Sequence, residues 1–185
     1  MKRIDTALPG VLLLEPRVFE DARGHFFETY RADTFASMGI GCAFVQDNQS
    51  FSRRGVLRGL HYQLGRPQAK LIRVVQGEIF DVAVDVRRGS PTFGKWAGEV
   101  LSSTNHRQMF VPAGFAHGFL VLSETAEVTY KCSDLYAPAE ERGIAWNDPK
   151  IGIGWPLQGA APLINEKDAR YPALDQAPDK DLPRY

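Results

Sequence analysis

The stretch Glu78-Ile79-Phe80-Asp81-Val82-Ala83-Val84-Asp85-Val86 decides the fold class. Phe80, Val82, Val84 and Val86 fall on one face, and Ile79, Asp81, Ala83 and Asp85 on the other, the period-2 signature of a strand. Residues 126–132 repeat the pattern, with Ala126, Val128, Tyr130 and Cys132 on one side and Glu127, Thr129 and Lys131 on the other. That places Tyr130 on an interior face. Outward from these two stretches, further β-rich runs bounded by glycine-containing turns cover residues 11–19, 44–52, 56–63, 70–76, 95–101, 107–111 and 116–122. Helical periodicity is confined to 31–38 and 166–170, two turns or less each. Strands that follow one another without crossover helices predict an all-β fold, an antiparallel sandwich or barrel, over residues 1–185 as one domain. The segment from Pro149 onward carries six of the twelve prolines, which predicts an extended tail wrapping the surface.

Composition narrows the function classes. The chain has 185 residues, 44% hydrophobic and 24% charged, which suits a packed globule and excludes intrinsic disorder. Lys+Arg and Asp+Glu number 22 each, and a neutral chain is not a dedicated binder of nucleic acid or anionic membrane. No apolar run approaches the roughly 20 residues that span a bilayer. The opening Met1-Lys2-Arg3-Ile4-Asp5 has no apolar core of the signal-peptide kind. Two cysteines, Cys42 and Cys132, are too few for a disulfide framework or a thiolate zinc site. A reduced, cytoplasmic protein is expected.

Three features carry chemistry. First, the thirty residues between Asp47 and Glu78 contain no acid and six cations: Arg53, Arg54, Arg58, Arg66, Lys70 and Arg73. Arginines suit a diphosphate through bidentate hydrogen bonds; outward strand positions paired with acids such as Glu127 fit the strip as well. Second, two of the four histidines, His61 and His117, sit inside apolar runs beside glycines. An inward histidine with a nearby carboxylate is the usual general base near neutral pH, or else a satisfied core residue. Third, Tyr130 can donate a proton if its hydroxyl faces a cavity, or bond to backbone if it does not. Base, cation and phenol together suit proton removal from one face of a carbon and return to the other, which is epimerisation. The early-strand histidine and the later Pro112-Ala113-Gly114-Phe115-Ala116-His117 segment resemble the cupin superfamily, whose metal-binding members carry a His-x-His-plus-Glu motif. Here Gln63 stands two residues after His61, a poor metal ligand, so no bound metal is expected.

Longer motifs sharpen the resemblance. Residues 55–63 (GVLRGLHYQ), 77–85 (GEIFDVAVD), 90–94 (SPTFG), 112–119 (PAGFAHGF) and 146–149 (WNDP) resemble the dTDP-4-dehydrorhamnose 3,5-epimerases, and the similarity runs from about Pro16 to Asp168. The resemblance implies a metal-free, cofactor-independent cupin jelly roll acting as a homodimer on a dTDP-4-dehydro-6-deoxy sugar. It implies His61 as general base held by Asp168, Lys70 as the cation that stabilises an enolate, and Tyr130 as the acid. It also implies substrate contacts from Arg23, Phe26 and Glu28, partly across the dimer, and from Gln46, Asp47 and Asn48 on the thymidine side. Tyr136 would stack on thymine, with Arg58, His117, Glu141 and Lys167 completing the set. Relatives that invert only C3 or only C5 share the fold and most of these positions, as do sugar ketoisomerases. A metal-dependent cupin oxygenase is the reading from another class, which Gln63 disfavours.

Overall fold

The alternating stretches form strands, and the strands build two facing antiparallel sheets. The computed structural model describes all 185 residues. In chain order the strands are β1 (Lys2–Asp5), β2 (Leu12–Glu15), β3 (Phe19–Asp21), β4 (Gly24–Phe26), β5 (Gln46–Arg53), β6 (Leu57–Gln63) and β7 (Lys70–Gln76). Then come β8 (Glu78–Asp85), β9 (Trp96–Ser102), β10 (Gln108–Val111), β11 (Phe115–Val121), β12 (Thr125–Cys132) and β13 (Glu141–Gly143). One sheet has the order β1-β2-β10-β7-β12-β5, the other β13-β6-β11-β8-β9, and β3 and β4 make a separate hairpin. From β5 to β8, and again from β9 to β12, successive strands alternate between the sheets, the jelly-roll path expected of the cupin type.

The run expected over 11–19 is broken. Pro16 has no N–H to give a ladder, so β2 stops at Glu15 and the chain leaves the sheet before the β3–β4 hairpin. Of the helical expectations, 31–38 yields α1 (Ala32–Ser37) and 166–170 yields one 3₁₀ turn, Asp168–Arg170.

The core lies between the sheets, where Ile72, Val74, Ile79, Ala83, Met109, Phe119, Ala126 and Val128 interlock. Both faces of β8 are buried, including Asp81 and Asp85 on the less apolar of its two alternating sets. Ile79 and Ala83 face the inter-sheet core, while Val82 and Val84 face outward under Ile151, Leu174, Ala177 and Leu182 from the tail. The tail is therefore a cover for the five-stranded sheet, pinned where Asp148 accepts from the backbone amides of Lys150 and Leu174. Toward one end of the sandwich the inward positions turn polar, and there the core opens into a cavity.

Candidate active site

Alternation along three strands lines that cavity. On β5, Gln46, Asn48 and Ser50 face it; on β12, Tyr130 and Cys132; on β7, Lys70. Across from them the five-stranded sheet contributes Arg58 and His61 from β6 and His117 from β11. The cavity measures about 390 Å³.

Close backbone approach sets the two histidines. Gly59 has φ +112°, and a β-carbon there would lie 2.6 Å from both Gly118 Cα and His117 O. Only glycine lets β6 and β11 meet this tightly, and the ladder shifts register between His117 and Phe119. His61 and His117 emerge as direct cross-strand neighbours. Each has a buried carboxylate: His61 Nε2 lies 2.8 Å from Asp168 Oδ1, and His117 Nε2 lies 2.8 Å from Asp81 Oδ1. Asp168 also accepts from the Gly59 amide at 3.1 Å. Burial pushes the Asp168 carboxyl up, but hydrogen bonding and charge at His61, with the Gly59 amide, outweigh it and hold the group below the usual carboxylate range. An ionised Asp168 can only accept, so the His61 proton sits on Nε2 and the lone pair on Nδ1.

The facing wall supplies charge and a proton. The side chains of Lys70 and Tyr130 make no hydrogen bond within the chain, so the ammonium and the phenol are both left to the cavity. Burial pushes Lys70 below the usual lysine range, offset only in part by Cys132, Glu141 and Asp81. An ammonium held this way gains from any negative charge that develops beside it. Burial pushes the Tyr130 phenol up, which keeps it protonated near neutral pH. At the rim, Glu141 gathers three donors: Tyr136 Oη at 2.8 Å, Tyr171 Oη at 3.1 Å and the Lys167 ammonium. Burial raises the Glu141 carboxyl, and Lys167 and Tyr136 more than reverse that. Arg58 donates through Nε to Ser52 Oγ at 3.1 Å.

The fold thus brings His61, Asp168, Lys70, Tyr130, Arg58, His117, Gln46, Asn48, Tyr136 and Glu141 around one space, with Lys167 tied to its edge. It does not bring Asp47 there. Between the inward Gln46 and Asn48 on a strand, Asp47 points out of the sheet and bonds Lys131 Nζ at 3.0 Å. Arg23, Phe26 and Glu28 also lie elsewhere: Arg23 and Phe26 sit on the β3–β4 hairpin and Glu28 just beyond it, with Phe26 72% exposed. The cationic strip divides as well. Arg66 pairs with Asp134, Arg54 donates to Leu122 O, and Arg73 lies over Phe27 on the outer face. Glu127 meets Gln49 rather than an arginine. Gln63 is fully engaged in loop structure, donating to Arg66 O and Leu135 O and accepting from Ala137 N. No group of three or more His, Cys, Asp or Glu side chains with metal-binding geometry forms anywhere in the fold. The sequence reading missed Ser50, Cys132, Asn165 and Tyr171. Ser50 and Cys132 were within reach of it, since they share inward parity with Asn48 and Tyr130.

The family model described as dTDP-4-dehydrorhamnose 3,5-epimerase matches residues 5–176. The chain belongs to that family. The epimerase is 59% identical over 178 residues to the dTDP-4-dehydrorhamnose 3,5-epimerase of Pseudomonas aeruginosa, covering 96% of this chain and 98% of that protein. It is 54% identical to the enzyme of the same description from Salmonella typhimurium, covering 94% and 96%. A dTDP-6-deoxy-D-glucose-3,5-epimerase from Legionella pneumophila Philadelphia 1, solved in complex with dTDP-4-keto-L-rhamnose, superposes with a TM-score of 0.96. That pair is 48% identical, covering 100% of this chain and 98% of the other. The epimerase is an isomerase of cupin-like fold, and no helix in it is long and apolar enough to cross a membrane.

Proposed function

We propose that the epimerase inverts C3 and C5 of dTDP-4-dehydro-6-deoxy-glucose to give dTDP-4-dehydro-L-rhamnose, within dTDP-L-rhamnose biosynthesis. One arrangement supports the reading: a histidine oriented by a buried, ionised carboxylate on one sheet, facing an unpartnered ammonium and phenol on the other. The C4 ketone makes the hydrogens on C3 and C5 acidic. His61 Nδ1 takes one of them, and the electron pair moves through the carbon–carbon bond onto O4. Lys70 stabilises the enolate oxygen as charge arrives. Tyr130 returns a proton to the opposite face of the carbon, and solvent exchange resets both groups. The sequence then repeats at the second carbon. The ketone and Lys70 supply the activation, so the scheme calls on no metal or nucleotide cofactor.

The nucleotide half is held at the rim. Gln46 and Asn48 offer amides to the thymine edge, Tyr136 its ring face, and Arg58 and Lys167 their charge to the diphosphate. Glu141 fixes Tyr136 and Lys167, and His117, held by Asp81, lines the sugar end. Arg23, Phe26 and Glu28 serve the partner's cavity in a homodimer. Residues 1–185 act as one domain, because Asp168 comes from the tail and His61 from the sheet it covers. A nucleotide-sugar substrate places the work in the cytoplasm.

The test is proton NMR of the substrate with enzyme in deuterated water, following exchange at C3 and C5 separately. Wild type should exchange both. His61→Ala should lose about 10²–10⁴-fold at both, since one base serves both carbons. Exchange at either carbon surviving near the wild-type rate overturns the assignment of His61.

A further inference from the structure

Tyr171 has no part in the scheme above, yet it touches two residues that do. It follows the 3₁₀ turn carrying Asp168. Its ring meets the His61 ring edge-on, with centroids 5.7 Å and planes 73° apart. Its hydroxyl donates to Glu141 Oε1 at 3.1 Å. The space the ring occupies is left by Gly143, the cross-strand partner of His61. A β-carbon on Gly143 would lie 2.4 to 2.5 Å from the Cε2, Cδ2 and Cζ atoms of Tyr171.

We propose that Tyr171 is a positioning residue for the base, its ring seated over Gly143 to fix the plane of the His61 imidazole. The inference rests on His61 being that base. The physical need is specific. Asp168 holds one ring nitrogen, but a single hydrogen bond leaves the ring free to swing about it, and the outer torsion of histidine is broad. A second contact, made edge-on by a large ring, removes that freedom. The same base must address two carbons of one sugar, so a swinging imidazole loses rate at both. Misplacing a reacting group by about 1 Å can lower a rate about 10²-fold. The hydroxyl adds a link of another kind. Through Glu141 it ties the base to Tyr136 and Lys167, which face the nucleotide. Burial and the Glu141 charge push the Tyr171 phenol up, so it remains a donor throughout the working range.

The experiment compares Tyr171→Leu, Tyr171→Phe, Gly143→Ala and the double variant Gly143→Ala/Tyr171→Leu, each checked for folding by thermal unfolding and for dTDP binding. Tyr171→Leu loses both the ring contact and the link to Glu141, so it should lower kcat for exchange about 10–100-fold at both carbons and raise KM. Tyr171→Phe keeps the ring and should restore kcat, while KM rises because the link to Glu141 is gone. Gly143→Ala should lower kcat by displacing the ring, and the double variant should be no worse than Tyr171→Leu alone, since the added methyl then has room. Wild-type kcat in Tyr171→Leu or Gly143→Ala, or losses that multiply in the double variant, overturns the proposal. His61→Ala is measured alongside. If it retains exchange, the base assignment has failed; if it abolishes exchange while Tyr171→Leu does not, only the positioning role has failed.

Discussion

Replacing Asp168 by Asn changes one atom and forces a choice on the base. The wild-type side chain is buried, and its two oxygens accept from His61 Nε2 at 2.8 Å and from the Gly59 amide at 3.1 Å. An amide has a single oxygen. If that oxygen stays on Gly59, the NH₂ group faces His61 and can only donate. His61 must then present its lone pair at Nε2 and carry its proton on Nδ1, the nitrogen that should be basic. If the oxygen turns to His61 instead, the NH₂ meets the Gly59 N–H donor to donor, and a buried N–H left unpaired costs about 1–3 kcal/mol. The first arrangement is the cheaper one, and it disables the base.

A comparable tautomer error in a Ser-His-Asp triad lowers kcat about 10⁴-fold. General base catalysis as a whole contributes about 10²–10⁴-fold. Asp168→Asn should therefore reduce kcat about 10²–10⁴-fold, a barrier increase of about 2.7–5.4 kcal/mol. KM should hold, because Asp168 reaches the substrate only through His61. The assay is deuterium wash-in at C3 and C5 followed separately by NMR. A loss below tenfold, or one confined to a single carbon, would refute the shared, carboxylate-oriented base.

Further outcomes follow from the opposite wall and from the surface. Tyr130→Phe keeps the ring and removes the donor, so deuterium wash-in should continue while net inversion falls; equal loss of both would make Tyr130 a packing residue. Lys70→Met should slow wash-in and inversion together, since the enolate loses its cation. Mixing Arg23→Ala with His61→Ala should restore about a quarter of the sites by random exchange of protomers, each mixed dimer holding one complete cavity; activity no greater than the sum of the two parents would place Arg23 outside the partner's site. Asp85, buried and bonded by Arg87, Ser90 and Thr92, is pushed up by burial and more than pulled back by those donors. Its depressed folded value means that its stabilisation is present above the usual value of 3.8 and is lost as the pH falls through the folded one. Urea unfolding should show Asp85→Asn weaker than wild type at pH 6, with the gap closing toward pH 2.

Some of this was open to reading from sequence, and the physical reasons for the rest are specific. Strict alternation over 78–86 is a local property, so the strand could be read directly. What covers its second face is not local: Ile151, Leu174 and Leu182 arrive from the proline-rich tail, far along the chain. The inward set of Lys70 and Tyr130 follows from strand parity, and the same parity tells against Asp47, which flanks two inward residues and so must face out. Pro16 likewise announced the break in the second strand. Asp168 is different. It lies 107 residues from His61, and no periodicity marks it, so it was reachable only through resemblance. Tyr171 and Gly143 were invisible for a further reason: their meaning is a mutual fit of ring and missing methyl that exists only once β13 pairs with β6.

Two-sheet architecture suits a reaction that must act on both faces of a sugar ring. Facing sheets pack about 10 Å apart where their side chains interdigitate, and where the packing opens into the cavity each sheet presents side chains to the same space. A base from one sheet and an acid from the other therefore address opposite faces without either having to move past the substrate. His61 belongs to the five-stranded sheet, and Tyr130 and Lys70 to the six-stranded one. The residues proposed to orient the base, Asp168 and Tyr171, come from the C-terminal tail, which elsewhere covers the outer face of the five-stranded sheet. On the proposed scheme the tail belongs to the site as well as covering the sheet, since its Asn165 and Asp168 line the cavity. If the tail loosened, the sheets could persist on their own core, but His61 would lose both the partner that sets its tautomer and the ring that sets its plane.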